Sequence, residues 1–197
     1  MKNAITLAAI AGIASAAAAQ TGALSIVPSD LVVDSTVQTS FTLSVYGNAD
    51  FGTHVAGGEF AISATGGSMV NAMTGDTAAW GALGLNDRGH TGGGNHAGLV
   101  FGQLIFPPFI PPAAESALGP VLLGVMTVSI DADSAGIIDF STTNGLGFIM
   151  EIYNEADGSF TQLTAADFGG AQVEIVPAPS AMALLGLGGL VAGRRRR

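Results

Sequence analysis

Cysteine is absent from all 197 residues of this chain. Without a thiol the protein has no disulfide, no thiolate metal site, no cysteine nucleophile and no site for lipoprotein-type acylation. Its stability must therefore come from packing. A chain of this length suffices for one domain with its own hydrophobic core.

Basic residues are almost missing from the middle of the chain. Five of the six lie at the ends, Lys2 and a terminal run of four arginines, and Arg88 is the only cation between them. All fifteen acidic residues lie between Asp30 and Glu174, so one arginine faces fifteen carboxylates and the formal charge of this region is −14. A surface this negative repels nucleic acid, and we exclude nucleic-acid binding.

The sequence also has few tryptophan and tyrosine residues and no recognisable catalytic motif. Trp80, Tyr46 and Tyr153 are the only indole and phenol groups, which is a small supply for a sugar-binding platform. No serine, histidine and aspartate lie in the pattern of a nucleophile elbow. The sequence therefore predicts a protein that is not an enzyme.

The N-terminus has the three parts of a secretory signal peptide. Lys2 supplies the positive start, residues 4–14 form an apolar run too short to span a membrane comfortably, and small alanines follow. The run has no polar face, which argues against an amphipathic helix of the domain. We predict a signal peptide at residues 1–19, which signal peptidase cleaves after Ala19, with Ala17 and Ala19 as the small pair.

The C-terminus joins a proline pair to an apolar stretch and a cationic end. Pro177, Ala178 and Pro179 precede the apolar residues 181–193. As a helix, residues 180–193 would extend about 20 Å, short of the ~30 Å hydrocarbon core. The prolines keep the approach extended. Four arginines hold the end in the cytoplasm and leave the domain outside; they are Arg194, Arg195, Arg196 and Arg197.

This C-terminal end resembles the PEP-CTERM sorting signal, a tripartite tag that an exosortase recognises in the membrane and cleaves near the Pro-x-Pro. The resemblance covers residues 176–197 and includes the apolar run 184–188. The family's central glutamate is Ala178 here. The resemblance implies a bacterium with an outer membrane and extracellular polysaccharide, and a precursor that is transiently anchored in the membrane and then released or attached at the surface. An ordinary tail anchor is the alternative.

The middle of the chain, residues 20–176, has the pattern of an all-β domain. Phe41, Leu43 and Val45 alternate with polar residues, as in a half-buried strand. Further short runs are separated by glycine, asparagine, aspartate and proline, and no amphipathic helix of convincing length interrupts them. This pattern predicts an antiparallel β-sandwich or jelly roll. The other predicted strands cover residues 60–64, 99–106, 121–130, 137–141, 147–153 and 172–176.

Parts of this domain are similar in pattern to cohesin-like and carbohydrate-binding-module sandwiches. The similarity lies in residues 124–140, read as a late hairpin, and in residues 33–37 followed by a strand rich in threonine and serine and later by residues 60–62. It transfers no binding residue. We expect a non-enzymatic component of the cell surface or extracellular matrix. The alternative is a carbohydrate-binding or calcium-dependent adhesion module.

An aspartate-rich turn is the candidate calcium site. Asp131, Asp133 and Ser134 offer alternating oxygen ligands, and Asp139 follows nearby. The spacing is not that of an EF-hand loop. The alternative is a hairpin whose carboxylates bond their own backbone. No other cofactor is predicted.

Three further groups are given structural interpretations. Residues 86–98 contain Asp87, His90 and His96, but we expect a flexible glycine loop there and not a metal site. His54 is expected on a surface turn, and the acidic residues near Glu151 are expected to be a chance grouping and not a glycosidase pair. The proline-stiffened residues 106–112 cover the open end of the sandwich, or form an apolar patch for a partner.

Overall fold

The computed structural model describes residues 22–49, 53–77, 86–102, 120–147, 151–154, 156–164 and 168–177. The described residues are almost entirely β-structure, as the alternating pattern predicts. Their helical structure is one 3-10 turn, Gly67–Met69. The strands are β1 (Gly22–Pro28), β2 (Val32–Asp34), β3 (Ser40–Ala49), β4 (Thr53–Thr65), β5 (Val70–Thr77), β6 (Asn86–Asp87), β7 (His90–Gly92), β8 (Asn95–Gly102), β9 (Val121–Ile130), β10 (Gly136–Asn144), β11 (Glu151–Asn154), β12 (Phe160–Gln162) and β13 (Gly170–Val176).

Four antiparallel strands form the smaller sheet, in the order β1-β3-β9-β5. Its central strand β3 buries Phe41, Leu43 and Val45 and leaves the residues between them partly exposed, which confirms the predicted alternation. Alternate residues of a strand point to opposite faces, so one face packs and the other meets solvent.

Nine strands form the larger sheet, with a central path in the order β12-β11-β4-β10-β13-β2. Strands β10 and β11 pair with successive halves of the long strand β4, and β8 pairs with the opposite edge of β4. The short strands β6 and β7 pair with β8. All these pairs are antiparallel except β2 with β13, which is parallel.

The two sheets pack face to face over one apolar core, so the predicted β-sandwich is confirmed. Phe41 of β3 meets Phe140 of β10 edge to face, with 6.1 Å between ring centroids, and so joins the two sheets. Burying a side chain of this size stabilises the fold by about 1.5–3 kcal/mol. The largest of the fully buried side chains are Leu43, Phe60, Ile62, Met73, Leu99, Leu123, Met126, Ile138, Phe140, Ile152 and Ile175.

The predicted strands vary in accuracy. The strand at 121–130 coincides with β9, and those at 137–141 and 172–176 lie within β10 and β13. The strand predicted at 60–64 covers only the second half of β4. The glycines at 57 and 58 interrupt the alternating pattern in the first half. The strand predicted at 147–153 corresponds to β11, which begins at Glu151. Residue 147 lies outside a strand. The strand predicted at 99–106 corresponds to β8, which begins earlier, at Asn95, and ends at Gly102.

Several predictions lie outside the described residues. They concern the signal peptide at 1–19, the segment 106–112, Trp80 and the sorting signal beyond Pro177. In the ranges that the structure does describe, no helix is long and apolar enough to cross a membrane.

Candidate functional site: the polar hairpin and the tail junction

Residues 86–102, which we call the polar hairpin, form an ordered element in place of the expected flexible loop. Strands β7 and β8 pair through His90 with His96 and through Gly92 with Asn95. Gly92, Gly93 and Gly94 have φ values of 101°, 60° and 78°, a region that glycine enters without steric cost. The glycines therefore make a tight turn between paired strands.

Asp87 connects the polar hairpin to the edge of the smaller sheet. Its Oδ2 accepts a 2.8 Å hydrogen bond from the backbone N–H of Gly75 in β5, and its Oδ1 accepts a 2.7 Å bond from Gly89. His96 Nε2 lies 2.5 Å from the same Oδ1, and His96 Nδ1 accepts from the N–H of Gly98. The ring proton is therefore on Nε2 and is donated to Asp87.

These contacts change the acidity of Asp87. Burial by itself raises the pKa of its carboxyl group, but the hydrogen bonds from Gly75, Gly89 and His96 outweigh burial and hold the pKa below its ordinary value of 3.8. The His96 side chain is fully buried and the Asp87 side chain is 24% exposed. Both ring nitrogens of His96 have partners, so this pair offers no free base to a substrate.

Arg88 connects the polar hairpin to strand β4 of the larger sheet. Its Nε lies 2.5 Å from Oε1 of Glu59 in β4, and the backbone N–H of Gly147 donates to Oε2 of Glu59 at 2.8 Å. The Glu59 side chain is fully buried, whereas the Arg88 side chain is 38% exposed. The only cation between the two apolar segments therefore neutralises a carboxylate that burial would otherwise penalise heavily.

Three glycines make room for the Glu59 side chain. A Cβ atom placed on Gly98 or on Gly145 would overlap the side-chain atoms of Glu59, and one on Gly147 would overlap the guanidinium of Arg88. These positions accept no larger residue without displacing the ion pair. The sequence analysis did not identify Glu59 as the partner of Arg88. The sequence shows one arginine among fifteen acidic residues, and it does not indicate which of them pairs with it.

A second polar contact lies where the last strand ends, and we call it the tail junction: Ser35, Ser134 and Val176. Ser35 is fully buried. Its N–H donates to the carbonyl of Val176 at 2.9 Å and its hydroxyl donates to the carbonyl of Ser134 at 2.7 Å. Pro177, the first residue of the predicted sorting signal, follows at once and is exposed.

The aspartates of the predicted calcium site are exposed but not gathered. Asp131 and Asp133 lie in the turn after β9, and Asp139 lies in β10, where its Oδ1 accepts from Gln172 at 2.7 Å. Among the described residues, no three histidine, aspartate or glutamate side chains lie close enough together to hold a metal ion. Calcium binding stays a prediction.

His54 lies in a strand and not on the expected surface turn. It is only 2% exposed and stacks against Tyr153 of β11, and Tyr153 contacts Phe160 of β12. Tyr46 lies in the other sheet, so the two described tyrosines do not share a platform. Asp157 lies in the β11–β12 turn, where bonds from Ser159 hold its pKa below the usual value.

Comparison with known proteins identifies the fold. No protein-family model and no curated protein matches the chain. Its structure is similar to the seventh ScaB type I cohesin from Pseudobacteroides cellulosolvens, with a TM-score of 0.51, 8% identity, and coverage of 80% of this chain and 95% of that chain.

Two further cohesin structures resemble the chain less closely. A type I cohesin from Clostridium thermocellum, solved in a cohesin–dockerin complex, has a TM-score of 0.49 at 9% identity and covers 78% of this chain and 99% of its own. The sixth cohesin of Acetivibrio cellulolyticus scaffoldin B, solved with a dockerin, has a TM-score of 0.49 at 8% identity, with 79% and 99% covered. The likeness is one of fold, and the fold of this chain is a cohesin-like β-sandwich.

Proposed function

We propose that this chain is the precursor of an exported, non-enzymatic protein of the cell surface or extracellular matrix, sorted by its C-terminal segment. The observation that carries the proposal is the PEP-CTERM-like sequence from Pro177 to Arg197, which begins immediately after the last strand. Signal peptidase and an exosortase-type enzyme are the proposed processing partners. We also propose that extracellular polysaccharide surrounds the mature protein.

The structure supports the proposal through the position of the tail junction. Strand β13 ends at Val176, and four residues, 177–180, separate it from the apolar stretch that begins after Ser180 in the sequence. Four extended residues span at most about 14 Å. While the precursor is anchored, its sandwich therefore lies close to the outer surface of the membrane.

The test is the mass of the mature protein in a host that carries the matching sorting machinery. We expect a form that begins near Gln20 and ends near Pro179, recovered from the envelope or medium. Replacing all four terminal arginines with serine should abolish C-terminal processing, because the charge that retains the end in the cytoplasm is lost. Replacing them with lysine keeps the charge and is the matched control. A membrane-bound form that retains Arg197 would contradict the proposal.

The alternative, a calcium-dependent adhesion module, is separated from this proposal by a calcium titration. Asp131 and Asp133 are the exposed carboxylates that would bind the ion. If they do, about 1 mM calcium, the range of extracellular sites, raises the thermal midpoint, and Asp131→Asn removes the rise. Under the main proposal calcium leaves the midpoint unchanged in both proteins.

A further inference from the structure

Strand β13 is paired along one edge for most of its length and along the other edge over its final three residues. Strand β10 pairs with β13 from Gly170 to Ile175, and the parallel strand β2 pairs with it from Glu174 to Val176. Two of its side chains, Val173 and Ile175, are buried in the core with 0% and 1% exposure. Removing β13 from the sheet would therefore expose core on one face and unpaired backbone on two edges.

Ser35 secures the final residue of this strand. Its N–H binds the Val176 carbonyl at 2.9 Å, and its hydroxyl oxygen lies 3.4 Å from the same carbonyl while donating to Ser134 at 2.7 Å. The backbone and the hydroxyl of this one buried residue, which directly follows β2, thus contact the end of β13 and the turn after β9. Pro177 has no N–H, so it donates no hydrogen bond to the ladder.

We infer that the tail junction confines proteolytic removal of the C-terminal segment to the carboxyl side of Pro177. A protease binds several residues of its substrate in an extended, unpaired form, and residues 170–176 reach that form only if β13 leaves the sheet. Hydrolysis breaks one peptide C–N bond, with the hydroxyl of water passing to the acyl carbon and a proton to the amine. The fold, and not the specificity of the enzyme alone, sets the upstream limit of this step.

The order of events favours a folded substrate. The C-terminal segment follows all the described strands in the chain and is synthesised after them, so these strands are already present when that segment reaches the processing enzyme. Domains of this type fold in milliseconds to seconds. The inference rests on the proposed function for the identity of the enzyme, but the protection of β13 is a property of the fold and is open to a separate test.

The first arm of the test is limited proteolysis of the purified full chain with a broad-specificity protease, followed by intact mass. We expect wild-type protein to give a limit product that retains residue 177. Ser35→Ala keeps the N–H that bonds the Val176 carbonyl, but it removes the hydroxyl that donates to the Ser134 carbonyl and lies 3.4 Å from the Val176 carbonyl. Cleavage within residues 170–176 should then become at least about tenfold faster. Ser63→Ala, a change at an exposed serine in β4, is the matched control and should behave as wild type. A wild-type limit product that ends within 170–176, or a Ser35→Ala rate equal to wild type, would overturn the inference.

Two further measurements separate the possible failures. Hydrogen exchange on the wild-type chain should show the Ser35 amide protected as strongly as the core amides of β13; weak protection overturns the inference even if Ser35→Ala does not fold. In the sorting host, Ser35→Ala should produce ragged C-termini upstream of 177. If the host does not process the wild-type chain, the proposed function fails, while the proteolysis result still decides the inference.

Discussion

Two adjacent residues, Asp87 and Arg88, connect the polar hairpin to different sheets. Asp87 accepts a hydrogen bond from Gly75 in the smaller sheet, and Arg88 pairs with Glu59 in the larger sheet. Asp87 ends β6 and Arg88 follows it outside the strand, and this dipeptide reaches both layers. The Asp87 contact also gives a partner to a backbone N–H of β5, an edge strand of the smaller sheet.

Asp87 makes stability depend on pH at the acidic end. Its folded pKa lies below the unfolded value of 3.8, so its contribution is present above the unfolded pKa and is lost as pH falls through the folded pKa. Asp87→Asn should lower the free energy of unfolding at pH 7 by about 1–3 kcal/mol and flatten the loss of stability below about pH 4. Urea unfolding at several pH values measures both effects. Asp131→Asn, at an exposed turn, is the control, and an equal loss in both variants would contradict the prediction.

Arg88 balances a carboxylate that has no exposure to water. Arg88→Ala should destabilise the fold by about 3 kcal/mol, because it leaves the charge of Glu59 buried without a counter-ion. Adding Glu59→Gln to that variant should restore part of the loss, since the amide carries no charge. Urea midpoints of the single and double variants test this. A double variant less stable than Arg88→Ala alone would show that charge is not the cause.

At the scale of elements, the short loop between β10 and β11 is shaped by Glu59. The backbone N–H of Gly145 donates to the Glu59 carbonyl at 2.8 Å, and that of Gly147 donates to its side chain. Strands β10 and β11 then continue along the same edge of β4 on either side of this loop. The loop therefore accommodates a buried ion pair without breaking the order of the sheet.

Gly145→Ala should cost about 1–3 kcal/mol, the range for overpacking, because the added methyl overlaps the side chain of Glu59. In a Glu59→Ala background the same change should cost less, since the two nearest overlapping atoms, Cγ and Cδ of Glu59, are gone and only the Cβ at 2.7 Å remains. Denaturant unfolding of the four proteins completes the cycle. If the cost is the same in both backgrounds, the glycine is required for a reason other than space for Glu59.

At the scale of the whole molecule, the last strand that the structure describes ends at Val176. A chain ending after Pro177 should keep the free energy of unfolding of the longer chain within about 0.5 kcal/mol, because every strand contact is retained. A chain ending after Gly169 lacks β13, exposes the partners of Val173 and Ile175, and should not fold. Circular dichroism and thermal unfolding compare the two. A large loss in the longer truncation would show that residues beyond 177 support the core.

The sequence alone determined the properties that depend on local composition and spacing. The alternation of Phe41, Leu43 and Val45, the apolar run of β9 and the absence of cysteine predicted an all-β packed domain, because side-chain period and burial are local patterns. The tripartite C-terminal end is likewise contiguous in the chain. Sequence reasoning missed the short strands β2, β6, β7 and β12, whose patterns span too few residues, and the first half of β4, where the glycines at 57 and 58 weaken the pattern. It also missed the longer strands β1 and β5.

Only the tertiary structure decided which distant residues meet. Glu59 and Arg88 are 29 positions apart, and Ser35 and Val176 are 141 apart, so no local pattern predicts either contact. The order of the strands brings each pair together, and burial then determines the energy of the contact. For the same reason His54 is buried in β4 against Tyr153 and does not lie on a surface turn.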